Sequence, residues 1–305
     1  MSKFSGVIPP VVVPLKDDHS VDYVSYTKVL NHLVEGGCNA VFALGSTSEV
    51  VFYGEQDRRR ILEHTVKVIN GRVPVIAGVV DAATDCVIAH ARAAKAIGVD
   101  AVVATAPYYT ITSQPEIIYH FRMIRDGVDL PLIAYDIPVC VHTKLARQTV
   151  VTLAREGTVI GLKDSSGDDG NLRYVLLDLA DRPDVFVMTG SETVVDSALH
   201  MGAHGVVPGL GNVDPAGYVR LWQAAQRGDW TTARQEQERL CRLFDIVRVA
   251  GGRLSNGAAG VGGFKTAMRS LGLIETNLMA RPRGALDSAE TLQVEDILRS
   301  VGLLG

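Results

Sequence analysis

Lys163 closes an apolar run, Val159-Ile160-Gly161-Leu162. A lysine at the end of a buried strand is poorly solvated, so its pKa falls toward the neutral amine that attacks carbonyls. Taken alone, it could equally pair with Asp164 or extend to a solvated rim. Its company points to carbonyl chemistry. Tyr135 ends the preceding apolar run, and adjacent strands lie about 4.8 Å apart, so its hydroxyl is within reach of the amine. Imine formation needs a group that moves protons at the carbinolamine and at the substrate oxygen, which a tyrosine can supply. Ser46 and Thr47 follow Gly45 in a tight loop, where two hydroxyls and backbone N–H groups cradle a carboxylate without a counter-charge. Pro107-Tyr108-Tyr109 adds paired phenols at the end of another run. This is equipment for Schiff-base chemistry on a small 2-oxo acid such as pyruvate.

Such residues converge only if the chain brings strand ends together. Short β-branched runs at residues 7–13, 40–44, 73–79, 101–105, 131–135, 159–163, 185–189 and 205–208 each precede a segment of helical spacing. Continuous apolar runs without alternation mark strands buried on both faces. Eight β-then-α units fit a closed (β/α)8 TIM barrel, and no glycine-rich first turn supports a dinucleotide fold. Barrel enzymes place working residues at the C-terminal ends of strands, where Lys163, Tyr135, Tyr109, Ser46, Thr47 and Glu192 all fall. After about residue 212 the strand signal stops. Helical patterns cover residues 215–227, 230–249, 264–271 and 289–303, with the glycine-rich stretch 250–263 as a connection between helices. The expected organisation is a barrel over residues 1–225 and a C-terminal helical extension over 226–305.

Composition narrows the partners. The hydrophobic share of 47% excludes a disordered chain. A net charge of −4, with both signs mixed and no basic stripe, argues against a nucleic-acid partner. No apolar stretch is long enough to span a membrane, and the N-terminus is a poor signal peptide. The four scattered cysteines lack zinc-type spacing and suit a reducing cytoplasm. His19, His90, His120 and His200 lack zinc spacing as well, and Asp164, Asp168 and Asp169 suit a helix start, so no metal is expected. Residues 257–266 imitate a phosphate loop, but Phe264 breaks the Gly-Lys junction.

Gly45-Ser46-Thr47-Ser48-Glu49, Pro107-Tyr108-Tyr109, Tyr135-Asp136-Ile137-Pro138, Gly161-Leu162-Lys163-Asp164 and Gly202-Ala203-His204-Gly205-Val206 occur in that order. Together they resemble the dihydrodipicolinate synthase and N-acetylneuraminate lyase family of class I aldolase-like barrels. The resemblance implies that Lys163 forms the imine, Tyr135 shuttles protons, and Ser46 and Thr47 bind the substrate carboxylate. It implies that Tyr109 joins the hydroxyl relay, in several members from a neighbouring subunit, and that the backbone near Val207 lines the pocket floor. A cofactor-free lyase assembled as a homotetramer, a dimer of dimers, follows from the same resemblance.

Departures bear on the substrate. Dihydrodipicolinate synthases usually carry an arginine for the aldehyde's carboxylate where this chain has Cys140. Losing that charged pair weighs against a carboxylated partner. Glu192 is a candidate for holding sugar hydroxyls, although Val207-Pro208-Gly209 offers few more, and His142 is a candidate pocket-side donor. The expected activity is aldol cleavage or formation of a bond to pyruvate, on a 2-keto-3-deoxy sugar-acid type of substrate. A dehydratase or dihydrodipicolinate synthase uses the same imine. A silent barrel serving as a binding or regulatory protein and a metal-dependent lyase are the readings outside this chemistry.

Overall fold

The computed structural model describes residues 3–305. Eight parallel strands, β1 (Gly6–Val7), β2 (Val41–Ala43), β3 (Val75–Gly78), β4 (Ala101–Thr105), β5 (Leu132–Asp136), β6 (Gly161–Asp164), β7 (Phe186–Thr189) and β8 (Gly205–Val206), form one sheet. Its order runs from β2 through each neighbour to β8 and then β1. Backbone hydrogen bonds from Asn39 to Val7, Phe42 to Pro9 and Val11 to Phe42 join the β1 segment to β2, closing the barrel. Every residue of β3 through β7 is buried, as continuous apolar runs demand. The first strand is shorter than residues 7–13 because Pro9 and Pro10 have no N–H for a ladder. The N–H of Val12 instead donates to Asn212 Oδ1 at 2.9 Å.

Helices α1 (Tyr23–Glu35), α2 (Glu55–Ile69), α3 (Thr84–Ile97), α4 (Gln114–Gly127), α5 (Pro138–Val141), α6 (Arg147–Arg155), α7 (Asp169–Asp178), α8 (Val195–His200) and α9 (Pro215–Gln226) accompany the strands. Each longer one buries an apolar stripe; on α2 it is Ile61, Leu62 and Ile69. The extension comprises α10 (Trp230–Phe244), α11 (Asn256–Ser270) and α12 (Ser288–Ser300). A reciprocal capping box starts α12: Glu290 N–H donates to Asp287 at 2.9 Å, and Asp287 N–H to Glu290 at 2.8 Å.

The glycine-rich stretch 250–263 is not simply a connection, because α11 already begins at Asn256. Two of its glycines, Gly262 and Gly263, serve close packing. A Cβ on Gly262 would meet Leu286 Cδ1 at 2.7 Å, and one on Gly263 would meet the Ile246 carbonyl oxygen at 2.5 Å. Helix propensity disfavours glycine here by about 1 kcal/mol, but contact with the 3-10 turn Asp245–Arg248 overrides it.

The extension is tied to the barrel by buried polar contacts. Lys265 of α11 meets Glu49 of the loop after β2 at 2.7 Å, and both side chains are fully buried. Gln237 of α10 donates to the Glu192 carbonyl at 2.9 Å and accepts from Val195 N–H at 2.8 Å. Both ties end on loops at the C-terminal mouth of the barrel.

Two glycines of α11 separate packing from propensity. Gly263→Ala is expected to lose roughly 1–3 kcal/mol in chemical denaturation, because its Cβ overlaps backbone. Gly260→Ala, with open space around the new Cβ, is expected to gain up to about 1 kcal/mol. Equal effects at the two sites would contradict close packing as the reason for the glycines.

Candidate active site

The register of β5 against β6 sets Tyr135 directly opposite Lys163. Paired residues of neighbouring strands point the same way, so both side chains enter the barrel mouth together. The Lys163 amine lies 3.9 Å from the Tyr135 ring centroid and 5.0 Å from that of Phe42. Phe42 and Tyr135 meet edge to face at 6.4 Å. Lys163 is 5% exposed, and among the described residues no carboxylate lies within salt-bridge distance of its amine. Asp164 does not pair with it; one Asp164 oxygen accepts from Ser166 N–H at 2.8 Å. Burial therefore brings the Lys163 pKa down to about 7, with the charges of Glu192 and Cys140 pulling the other way. Near neutrality a large share of the amine is unprotonated and nucleophilic.

Burial also pushes the Tyr135 phenol well above its usual range, while the Ser165 and Ser46 hydroxyls partly offset the shift. The phenol therefore stays protonated at neutral pH and is available as a hydrogen-bond donor. Asp136, next along β5, is buried and anchors the following segment. It accepts from Lys144 Nζ at 2.8 Å and from Leu145 N–H at 3.0 Å.

After β2 the chain turns sharply. Ser48 and Val50 N–H groups donate to the Gly45 carbonyl, and Glu49 N–H donates to that of Ser46. The hydrogen bonds that fold this turn leave the Ser46 and Thr47 N–H groups unused. Ser48 Oγ donates to the Val11 carbonyl at 2.6 Å, which pins the turn to the barrel wall. Glu49 sits in the left-handed region (φ 61°), a conformation held by its buried contacts to the extension. Ser46 and Cys140 line a cleft of about 580 Å³, together with Thr105 and Tyr108. That volume suits a small molecule.

The remaining predicted residues are placed as follows. Thr47 is half-buried next to Ser46. Val207 is buried just past β8, its N–H donating to the Thr189 carbonyl at 2.9 Å. Glu192 accepts three hydrogen bonds, from Gly209 N–H (2.9 Å), Leu210 N–H (2.8 Å) and the Tyr218 hydroxyl (2.9 Å). A carboxylate has about four acceptor positions, so little capacity remains for a sugar hydroxyl. Burial raises the Glu192 pKa to about 7. His142 is exposed at the C-cap of α5 and does not line the cleft. Tyr109 is 92% exposed and also lies outside its own chain's cleft; Tyr108 lines it instead.

One lining residue has no sequence signal. Arg283 reaches the cleft from the segment between α11 and α12, and nothing in its neighbours marks it as a site residue. The described residues contain no grouping of three or more His, Cys, Asp or Glu that could hold a metal ion. None of the described helices is long and apolar enough to cross a membrane.

Burying Lys163 has a cost that depends on pH. Its folded pKa, about 7, lies below the unfolded value near 10.5. The unfolded chain therefore binds the extra proton between these values, and stability rises with pH across that window. Lys163→Met is expected to stabilise the protein at pH 6, where each depressed pKa unit is worth about 1.4 kcal/mol. The gain should shrink steadily toward pH 10, as followed by urea denaturation. A gain independent of pH would contradict desolvation of the amine as its cause.

Comparison with known proteins agrees with this fold. The model of the dihydrodipicolinate synthetase family matches residues 3–301. A 4-hydroxy-tetrahydrodipicolinate synthase of Phenylobacterium zucineum is 30% identical over 303 residues, covering 99% of this chain and 98% of its own. YagE, a prophage protein of E. coli K12 solved in complex with pyruvate, superposes with a TM-score of 0.92 at 26% identity, covering 99% of this chain and 100% of its own. The dihydrodipicolinate synthase of Bacteroides thetaiotaomicron superposes with a TM-score of 0.91 at 31% identity, covering 97% of this chain and 98% of its own. A parallel barrel with C-terminal helices and a family match along almost its whole length make this chain a lyase of the dihydrodipicolinate synthetase family.

Proposed function

We propose that the protein is a Schiff-base lyase that breaks or forms a carbon–carbon bond to pyruvate, on a 2-keto-3-deoxy sugar-acid type of substrate. The observation that carries this reading is the buried Lys163 amine, brought to a pKa of about 7 against the Tyr135 ring. A neutral amine adds to the C2 carbonyl, and the resulting carbinolamine loses water to give an iminium ion. Tyr135 donates the proton that lets the hydroxyl leave as water. The Ser46 and Thr47 hydroxyls and N–H groups hold the carboxylate at C1.

From the iminium ion the chemistry runs by electron withdrawal. The C4 hydroxyl gives up its proton, the C3–C4 electron pair moves into the imine, and an aldehyde leaves. Protonation at C3 and attack by water at C2 then release pyruvate and restore the amine. Glu192, raised by burial to about 7, is a carboxyl group able to exchange a proton near neutrality, and its charge is felt at Lys163. Val207 closes the floor. His142 keeps a place only at the rim, as a donor to a long substrate.

In this reading the catalytic unit is residues 1–225, and residues 226–305 are an extension clamped on the mouth through Lys265. Tyr109 and Ile111 are 92% and 82% exposed, which suits burial against a second copy. A homotetramer with Tyr109 completing a neighbour's hydroxyl relay follows. The pyruvate bound by YagE supports the three-carbon half of the substrate. The names of several relatives favour a second reading, 4-hydroxy-tetrahydrodipicolinate synthase. Cys140, where those enzymes usually carry an arginine, counts against it.

Incubation with a panel of 2-keto-3-deoxy sugar acids separates the outcomes. Pyruvate release is expected and supports the aldolase. Loss of water without pyruvate would replace it by a dehydratase; no turnover of the panel, together with condensation of pyruvate with the synthase's carboxylated aldehyde in a separate assay, would replace it by the synthase. Tyr135→Phe should keep the fold by circular dichroism and lower kcat by about 10²-fold or more. Unchanged kcat would remove Tyr135 from proton transfer.

A further inference from the structure

A second groove, of about 520 Å³, opens on the far side of Phe52, the one lining residue it shares with the cleft. Neither Lys163 nor Tyr135 lines it, so a molecule bound there stands apart from the proposed imine. Lys16, Arg60 and Arg281 enter it from three separate elements: the loop after β1, helix α2, and the segment between α11 and α12. All three are exposed, and among the described residues none makes an ion pair or a side-chain hydrogen bond. Their chain neighbours do: Arg58 pairs with Asp81 at 3.9 Å, Arg59 with Glu63 at 2.9 Å and Arg283 with Glu49 at 3.6 Å.

The carboxylates near Lys16 are turned onto their own backbone. Asp18 accepts from the Ser20 N–H at 2.8 Å and its hydroxyl at 2.6 Å. Asp22 caps α1, accepting from the Val24 and Ser25 N–H groups. Asp57, in the first turn of α2, is the one carboxylate lining the groove. Three cations against it leave a net charge of +2 on these walls.

The backbone of these walls is set before anything binds. Lys16 N–H donates to the Ser20 carbonyl at 2.8 Å, and His19 N–H to the Lys16 carbonyl at 2.9 Å. The Thr276 hydroxyl holds the Leu15 carbonyl at 2.7 Å, and Arg281 follows Ala280, whose N–H is held by Glu49 at 3.1 Å. Such preorganisation lowers the entropic cost of binding. Tyr23, Phe52 and Tyr53 add aromatic surface between the cations. Inorganic phosphate would use the charge and leave that surface uncovered. A phosphate ester carries about −1.5 to −2 and three acceptor oxygens, which match a charge of +2 offered from several walls. Arginine forks suit phosphate oxygens, whereas a dicarboxylate spreads the same charge over two planar groups.

We propose that this groove binds an organic phosphate monoester, apart from the site of the lyase chemistry. Arg60 and Arg281 hold the phosphate, Lys16 adds its charge, and the aromatic residues cover the ester group. The proposal does not depend on an imine at Lys163.

The test is titration calorimetry near neutral pH with three probes: phenyl phosphate, inorganic phosphate and succinate. Phenyl phosphate is expected to bind once per chain, at least tenfold tighter than either of the others. Arg60→Gln and Arg281→Gln, both at exposed positions, should each weaken it fivefold or more, and the double variant should abolish saturable binding. Arg227→Gln, at the exposed C-cap of α9 and likewise without an ion pair, should leave it unchanged. Saturating pyruvate and Lys163→Ala should leave it unchanged too. No saturable binding of phenyl phosphate overturns the site, as does binding that survives in the double variant or falls equally in Arg227→Gln. Displacement by pyruvate, or loss in a folded Lys163→Ala, would assign the phosphate to the cleft instead. A smaller advantage over inorganic phosphate or succinate overturns the monoester as its ligand.

Discussion

The structure is organised around an amine placed where water cannot solvate its charge. Lys163 lies next to last in a strand whose every residue is buried, beside two aromatic rings and, among the described residues, with no carboxylate in salt-bridge reach. Among the described residues the other buried lysine and arginine are paired, Lys265 with Glu49 and Arg58 with Asp81. Leaving one cation unpaired depresses its pKa and costs stability, and such a cost is tolerated where it serves chemistry. The closed barrel makes this possible: strand ends converge, and the β5–β6 register delivers Tyr135 to the same spot.

A second constraint links the site to the rest of the chain. Glu49 occupies a left-handed backbone conformation at the end of the Ser46-Thr47 turn, and its side chain is held by three groups of the C-terminal extension. The Ser46-Thr47 turn, proposed to hold the substrate carboxylate, is thus shaped partly by α11. The extension also carries Arg283 into the cleft and, through Gln237, fixes the loop that bears Glu192. These helices are part of the active-site wall as well as a cover for the barrel.

Much of this was legible in the residues. Strand runs of β-branched and small apolar residues specify a parallel barrel, and strand order makes Tyr135 the neighbour of Lys163. Local signals failed where tertiary contact overrides them. Residues 256–263 read as a loop because glycine disfavours helix, and only tertiary contacts with Leu286 and Ile246 explain Gly262 and Gly263. Arg283 lies about 120 positions beyond Lys163, outside any strand end. No spacing rule reaches it, because its place depends on how α11 packs. Glu192 is the intermediate case: its strand-end position was readable, but the three donors that occupy its carboxylate come from beyond β8.

The proposed chemistry rests on a covalent bond at one nitrogen. The direct measurement is intact mass after borohydride reduction with pyruvate, followed by peptide mapping, across pH 5 to 9. One reduced pyruvate adduct per chain is predicted, carried by Lys163, absent in Lys163→Ala, and forming more slowly as pH falls below about 7. An adduct on another lysine, one that persists in Lys163→Ala, or none at all would contradict it.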